Sequence, residues 1–125
     1  MRDLGLVALG GAIGSVLRWV LSGLVQRWTG SAFPWGTFAV NAAGSLAIGV
    51  IAALALERAL VAPAVRVFSI VGVLGGFTTF SAFSYETLAL LRDGQWPAAA
   101  GYAGGSVGVG LLCAFAGYAI GTRMG

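Results

Sequence analysis

The chain has 125 residues, 58% hydrophobic and 9% charged, with a mean hydropathy of +0.93. A soluble domain keeps roughly a quarter of its residues charged, so this composition excludes one. The net charge of +3 comes from seven arginines scattered singly near the ends of apolar runs, which reads as membrane anchoring and not as a nucleic-acid patch.

Four apolar runs follow one another, each close to the roughly 20 residues that cross a hydrocarbon core. Three short polar breaks separate them, "RWTGSAFPWG", "ERALVAPAVR" and "RDGQWP". They predict an all-α membrane protein, a single four-span domain over residues 1–125 with nothing left for a soluble head. The first run, Leu4–Gln26, follows Arg2 as a secretory signal would. A signal's apolar region is only about 7–15 residues long. This run is longer and carries Arg18 and Trp19, so it reads as a retained helix. Gly10 and Gly14 are four apart and offer another helix a close approach. Arg18 either snorkels to the interface and anchors its helix or lends positive potential to an anion at membrane depth.

The second run, Gly36–Leu56, holds Asn41, which is either glue between helices or a functional donor. The third, Val67–Leu91, contains "GVLGGFTTFSAFSYE" over residues 72–86. Gly75–Gly76 predicts a break in this helix. Irregular backbone at membrane depth survives only beside protein or a cavity, and the carbonyls it releases, such as those of Gly75 and Thr78, can hold a small hard cation. Thr79, Ser81 and Ser84 either bond to their own backbone or donate elsewhere. Phe80 and Phe83 are three apart and share a face. They form a packing pair, or they line an anion's path with their positive ring edges. Glu86 either sits solvated at headgroup level or opposes an anion, the one member of this polar set that would.

The fourth run, Ala98–Ile120, places Tyr102 and Ser106 four apart on one face. Gly101 with Gly105, Gly104 with Gly108, and Gly117 with Gly121 read as packing surfaces. Cys113 reads as a small buried hydrophobe. With no histidine and one cysteine, an internal disulfide is excluded and a zinc site is strongly disfavoured.

Arg2, Arg58, Arg66 and Arg123 fall on one side of the membrane, and Arg27 and Arg92 on the other. That bias is weak. It slightly favours one orientation with cytoplasmic termini, yet it is small enough for insertion both ways, which would permit an antiparallel homodimer. Trp28, Trp35 and Trp96 lie in the loops of the arginine-poor side, where an interfacial aromatic belt belongs. Four glycine-packed helices leave little room for a route inside one chain, and no internal repeat supplies a second half. A conducting path is therefore expected at a boundary between two copies.

"GGAIGSVLRW" (10–19), "GTFAVNAAGSLAIG" (36–49) and "GVLGGFTTFSAF" (72–83) resemble the signature segments of the Fluc (CrcB) fluoride channel family. The resemblance covers all four spans. It implies a dual-topology antiparallel homodimer in the cell membrane with two fluoride pores, passively exporting cytoplasmic fluoride and so lowering its toxicity. It also implies a structural Na⁺ at the dimer centre, held by the Gly75 and Thr78 carbonyls of both copies. Phe80, Phe83 and Asn41 match pore positions, with Thr79 beside them; Arg18 resembles a vestibule arginine and Glu86 the acidic residue beyond the phenylalanines. Tyr102 and Ser106 look like the start of a polar track. Its next position on that face is Gly110, where the family often carries a hydroxyl.

A fluoride path must replace tightly held water with donors that still let the ion leave, and this set contains uncharged donors. The rival reading is a small four-span multidrug-type antiporter, which needs a carboxylate in its first span. Run one has only Asp3, at its mouth. An enzyme would need paired acid–base groups or a supported nucleophile; the chain has four acids and no histidine.

Overall fold

The protein is described here by a computed structural model over residues 2–56 and 61–124; Arg58, counted above among the orienting arginines, lies outside the described residues. It is all-helical, with four helices long and apolar enough to cross a membrane: Arg2–Thr29, Trp35–Leu56, Pro63–Arg92 and Trp96–Thr122. They are the four apolar runs, extended at most ends into polar flanks. We label Arg2–Thr29 α1 and Trp35–Leu56 α2. The third span begins as an α-helix over Pro63–Arg66, continues as a π-helix over Val67–Leu74 and closes with an α turn at Gly75–Phe77; together these make α3. Phe80–Arg92 is α4 and Trp96–Thr122 is α5.

The turns are set by residues that leave helical geometry easily. Gly30 ends α1 at φ 59° and Gly94 ends α4 at φ 75°, where a side chain would be strained. Pro97 sits in the first turn of α5, where its missing N–H costs nothing. The spans run alternately up and down, so α2 and α5 point the same way across the bundle.

Two glycine seams hold the helices together. In the first, α1 lies on α3: a Cβ at Gly10 would stand 2.6 Å from the Phe68 carbonyl oxygen, and one at Gly76 the same distance from that of Gly11. In the second, α2 lies on α5, with Gly49 against the Ala114 backbone and Gly117 against that of Leu46. Small residues permit this approach, which in lipid takes the place of hydrophobic association. Gly101, Gly104 and Gly108 differ from expectation: they face open space, and Gly105 meets only the Phe38 ring. Cys113 is half-buried. Large side chains point mostly outward, as lipid allows; Trp28 and Trp96 are exposed at one end of the bundle. Tyr102 is the largest side chain wholly buried, in a small cluster with Leu90 and Ala99, against which Phe33, Phe38 and Phe83 pack.

The third helix is broken, but not at Gly75–Gly76. Both glycines are helical, Gly75 at φ −61° and ψ −39°. The chain becomes extended at Thr78 (φ −83°, ψ 154°) and Thr79 (φ −148°, ψ 118°). Gly76 is needed for its lack of a side chain against α1, and the break is set by what Thr79 bonds to.

Candidate functional site

At the break, the Thr79 amide donates to Asn41 Oδ1 at 2.9 Å, and Asn41 Nδ2 donates to the Thr79 carbonyl at 3.2 Å. Thr79 then caps α4, its Oγ1 accepting from the Ala82 amide at 3.1 Å. In an unbroken helix those two amides would bond to the carbonyls four residues back, Gly75 and Thr78. Diverted to Asn41 and the cap, they leave both carbonyls released. The Gly76 carbonyl receives Arg18 Nε at 3.1 Å. Gly44 on α2 makes room for the break, since a Cβ there would strike the Thr78 methyl.

Beside the break, between α2, α3, α4 and α5, lies an open cavity of about 410 Å³. Asn41 and Ser45 line it from α2, Thr79 from the break, Phe80 and Phe83 from α4, and Ser106 from α5. Gly75 and Thr78 border it too. Its walls are mostly apolar and carry no formal charge. The Ser106 hydroxyl is buried with no hydrogen-bond partner among the described residues. An orphaned buried hydroxyl is unfavourable unless something in the cavity accepts from it. The Asn41 amide has two N–H groups, one of them spent on Thr79.

The Phe80 and Phe83 rings lie 5.6 Å apart at 49°; Phe80 is 79% exposed and Phe83 half-buried. Behind Phe83 stands Tyr102, ring centroids 5.1 Å apart, and Phe33 meets Tyr102 edge-on at 5.4 Å. The Tyr102 hydroxyl donates to Glu86 Oε1 at 3.2 Å. Glu86 thus faces away from the main cavity, on a smaller one of about 170 Å³ shared with Gln26, Pro34 and Asp93.

Of the expected site residues, Asn41, Thr79, Phe80, Phe83 and Ser106 therefore converge on one cavity, with the Gly75 and Thr78 backbone at its edge. Tyr102 and Glu86 stand behind Phe83, and Arg18 reaches the break from α1 without lining either cavity. Sequence reasoning missed Ser45 and Phe33. Ser45 follows Asn41 by one helical turn, a spacing that puts both on one face; Phe33 lies in a loop, where no periodicity marks it. Such a cavity can bind a small anion through hydroxyl, amide and ring-edge donors without fixing it to a charge.

A sequence model of the family described as "CrcB-like protein, Camphor Resistance (CrcB)" matches residues 5–118. The chain belongs to the CrcB family. The match to CrcB begins in α1 and ends in α5, so it takes in the break, the cavity and both glycine seams. The chain is 58% identical to the fluoride-specific ion channel FluC of Thermus thermophilus, over 95% of this chain and 94% of that one. It is 47% identical to FluC of Rhizobium meliloti over 96% of each, and 52% identical to FluC of Opitutus terrae over 90% of this chain and 86% of that one. With four apolar helices and such channel relatives, this CrcB member is a multi-pass membrane protein.

Proposed function

We propose that the chain is a fluoride-selective ion channel of the cell membrane, letting cytoplasmic fluoride leave down its electrochemical gradient and so lowering its toxicity. The cavity that gathers Asn41, Ser106, Phe80 and Phe83 beside the helix break carries this reading, together with the name its relatives bear.

Fluoride is small and firmly hydrated, so entry requires donors in place of water and exit requires that none grip too hard. The unspent N–H of Asn41 and the orphaned Ser106 hydroxyl are such donors. Asn41 is held by its second bond, so that N–H is aimed and not free to swing. The rims of Phe80 and Phe83 add a weak positive edge. Arg18, bound to the break, contributes positive potential from outside the cavity. Glu86 accepts the hydrogen bond of the Tyr102 hydroxyl, so Tyr102 serves by backing Phe83 with its ring.

The cavity is open on one side and Phe80 is largely exposed, which supports a second copy, inserted the opposite way, as the missing wall. The weak arginine bias is compatible with such an antiparallel homodimer. The released carbonyls of Gly75 and Thr78 suit a small hard cation such as Na⁺, which prefers oxygen ligands. When bound, Na⁺ would supply the positive charge that holds the breaks of two copies together. The antiporter reading finds no carboxylate at depth in α1, only an exposed Asp3 near its start.

The test is fluoride efflux from vesicles containing the purified protein, with an ionophore to carry compensating charge and no pH gradient. Rapid release is expected. Release only when a proton gradient is imposed would point to the antiporter.

A further inference from the structure

We infer that Ser45 is a further anion-binding residue of this path, supplying from α2 the hydroxyl that α5 lacks at Gly110. This role presupposes the channel reading. On α5, Tyr102 and Ser106 share a face one turn apart, and one turn further that face reaches Gly110, which brings no side chain. A donor line confined to α5 would end there. A Cβ built at Gly110 would stand 3.5 Å from Ser45 Oγ. The Ser45 hydroxyl thus sits where the bare backbone of α5 leaves space for it.

Two further observations agree. Ser45 follows Asn41 by one turn on α2, and both line the cavity that Ser106 lines. Because α2 and α5 run in the same direction, the step from Asn41 to Ser45 keeps pace with the step from Ser106 to Gly110. The Ser45 proton is also unspent. Ser69, Thr78 and Thr87 each donate to the carbonyl four residues back, as helical hydroxyls commonly do. Ser45 makes no such bond among the described residues. The anion's route therefore crosses from α5 to α2: Ser106 donates first, and Ser45 takes the ion on where α5 has nothing to give.

Compensation between the two helices tests this. Fluoride efflux from vesicles is compared for the parental chain, Ser45→Ala, and Ser45→Ala combined with Gly110→Ser. Losing one hydrogen bond to an anion should slow efflux roughly tenfold in Ser45→Ala. The double variant, which returns a hydroxyl to the same place from the opposite helix, should recover most of that loss. Parental efflux in Ser45→Ala would overturn the assignment. So would a double variant as slow as the single one, because Ser45 would then matter for packing and not for its hydroxyl. A parental chain that releases no fluoride would instead remove the channel reading, and Ser45 with it.

Discussion

Asn41 grips Thr79 at both of its backbone groups, accepting from the amide at 2.9 Å and donating to the carbonyl at 3.2 Å. One side chain thereby gives an extended residue what a neighbouring strand would give it. The same grip diverts the amide that would otherwise close the helix onto Gly75, so Asn41 helps to create the break that it lines. Residue 41 is framework by this geometry and, in the proposed channel, path as well; the two roles separate by experiment.

Replacing Asn41 with Leu removes both bonds and leaves two half-buried backbone groups of Thr79 without their partner, a loss of up to about 1–3 kcal/mol for each that water in the cavity does not reach. We expect a clear fall in melting temperature of the purified protein and an efflux rate near background. Asn41→Asp keeps the acceptor for the Thr79 amide but brings a carboxylate to the cavity. Its melting temperature should fall less than that of Asn41→Leu, while its fluoride efflux falls as far. Equal efflux in Asn41→Asp and the parental chain would exclude Asn41 from the path.

Phe80→Ile and Phe83→Ile remove ring edges while keeping apolar bulk. Fluoride efflux should drop severely in both, with elution on a sizing column unchanged. Phe83→Ile should also destabilise the fold more, because Phe83 packs on Tyr102 whereas Phe80 is 79% exposed. Parental efflux in either variant would reject the aromatic role.

Tyr102→Phe keeps the ring between Phe33 and Phe83 and deletes the bond to Glu86. Because the Tyr102 ring backs Phe83 and is kept, efflux should stay well above that of Phe83→Ile, with a stability loss of about 1 kcal/mol. Thermal melts and vesicle efflux on the same preparations check both parts. A Tyr102→Phe channel as inactive as Phe83→Ile would show that the hydroxyl itself serves the ion.

The glycine seams give a contrast within one helix. Gly117→Ala drives a methyl into the Leu46 backbone, and Gly108→Ala places one in open space. Overpacking of this kind costs about 1–3 kcal/mol, so Gly117→Ala should lower the yield of folded protein. Gly108→Ala should match the parental chain in melting. Equal stability of the two variants would contradict the packing described.

The four spans were legible because apolar length is a property of the chain alone, and polar groups at depth stood out against it. Gly10, Gly14, Gly117 and Gly121 have a spacing that predicts packing surfaces, and each lies against a neighbouring helix. Gly101, Gly104 and Gly108 carry the same spacing but face outward, since spacing marks a possible seam and not which helix fills it. The glycine pair predicts a break at Gly75–Gly76, and the chain departs from the helix three residues later for a related reason. Glycine permits irregular backbone, but the departure occurs where a partner captures the amide, and that partner, Asn41, lies 38 positions away in sequence. The Tyr102–Glu86 bond and the edge of Phe33 on Tyr102 likewise join distant segments. No local pattern announces such pairs.

The most direct measurement is efflux of fluoride and of chloride, side by side, from vesicles holding the parental protein. If uncharged donors and ring edges stand in for water around a small halide, fluoride should leave rapidly while chloride stays. Comparable release of the two ions, or retention of both, would contradict the account.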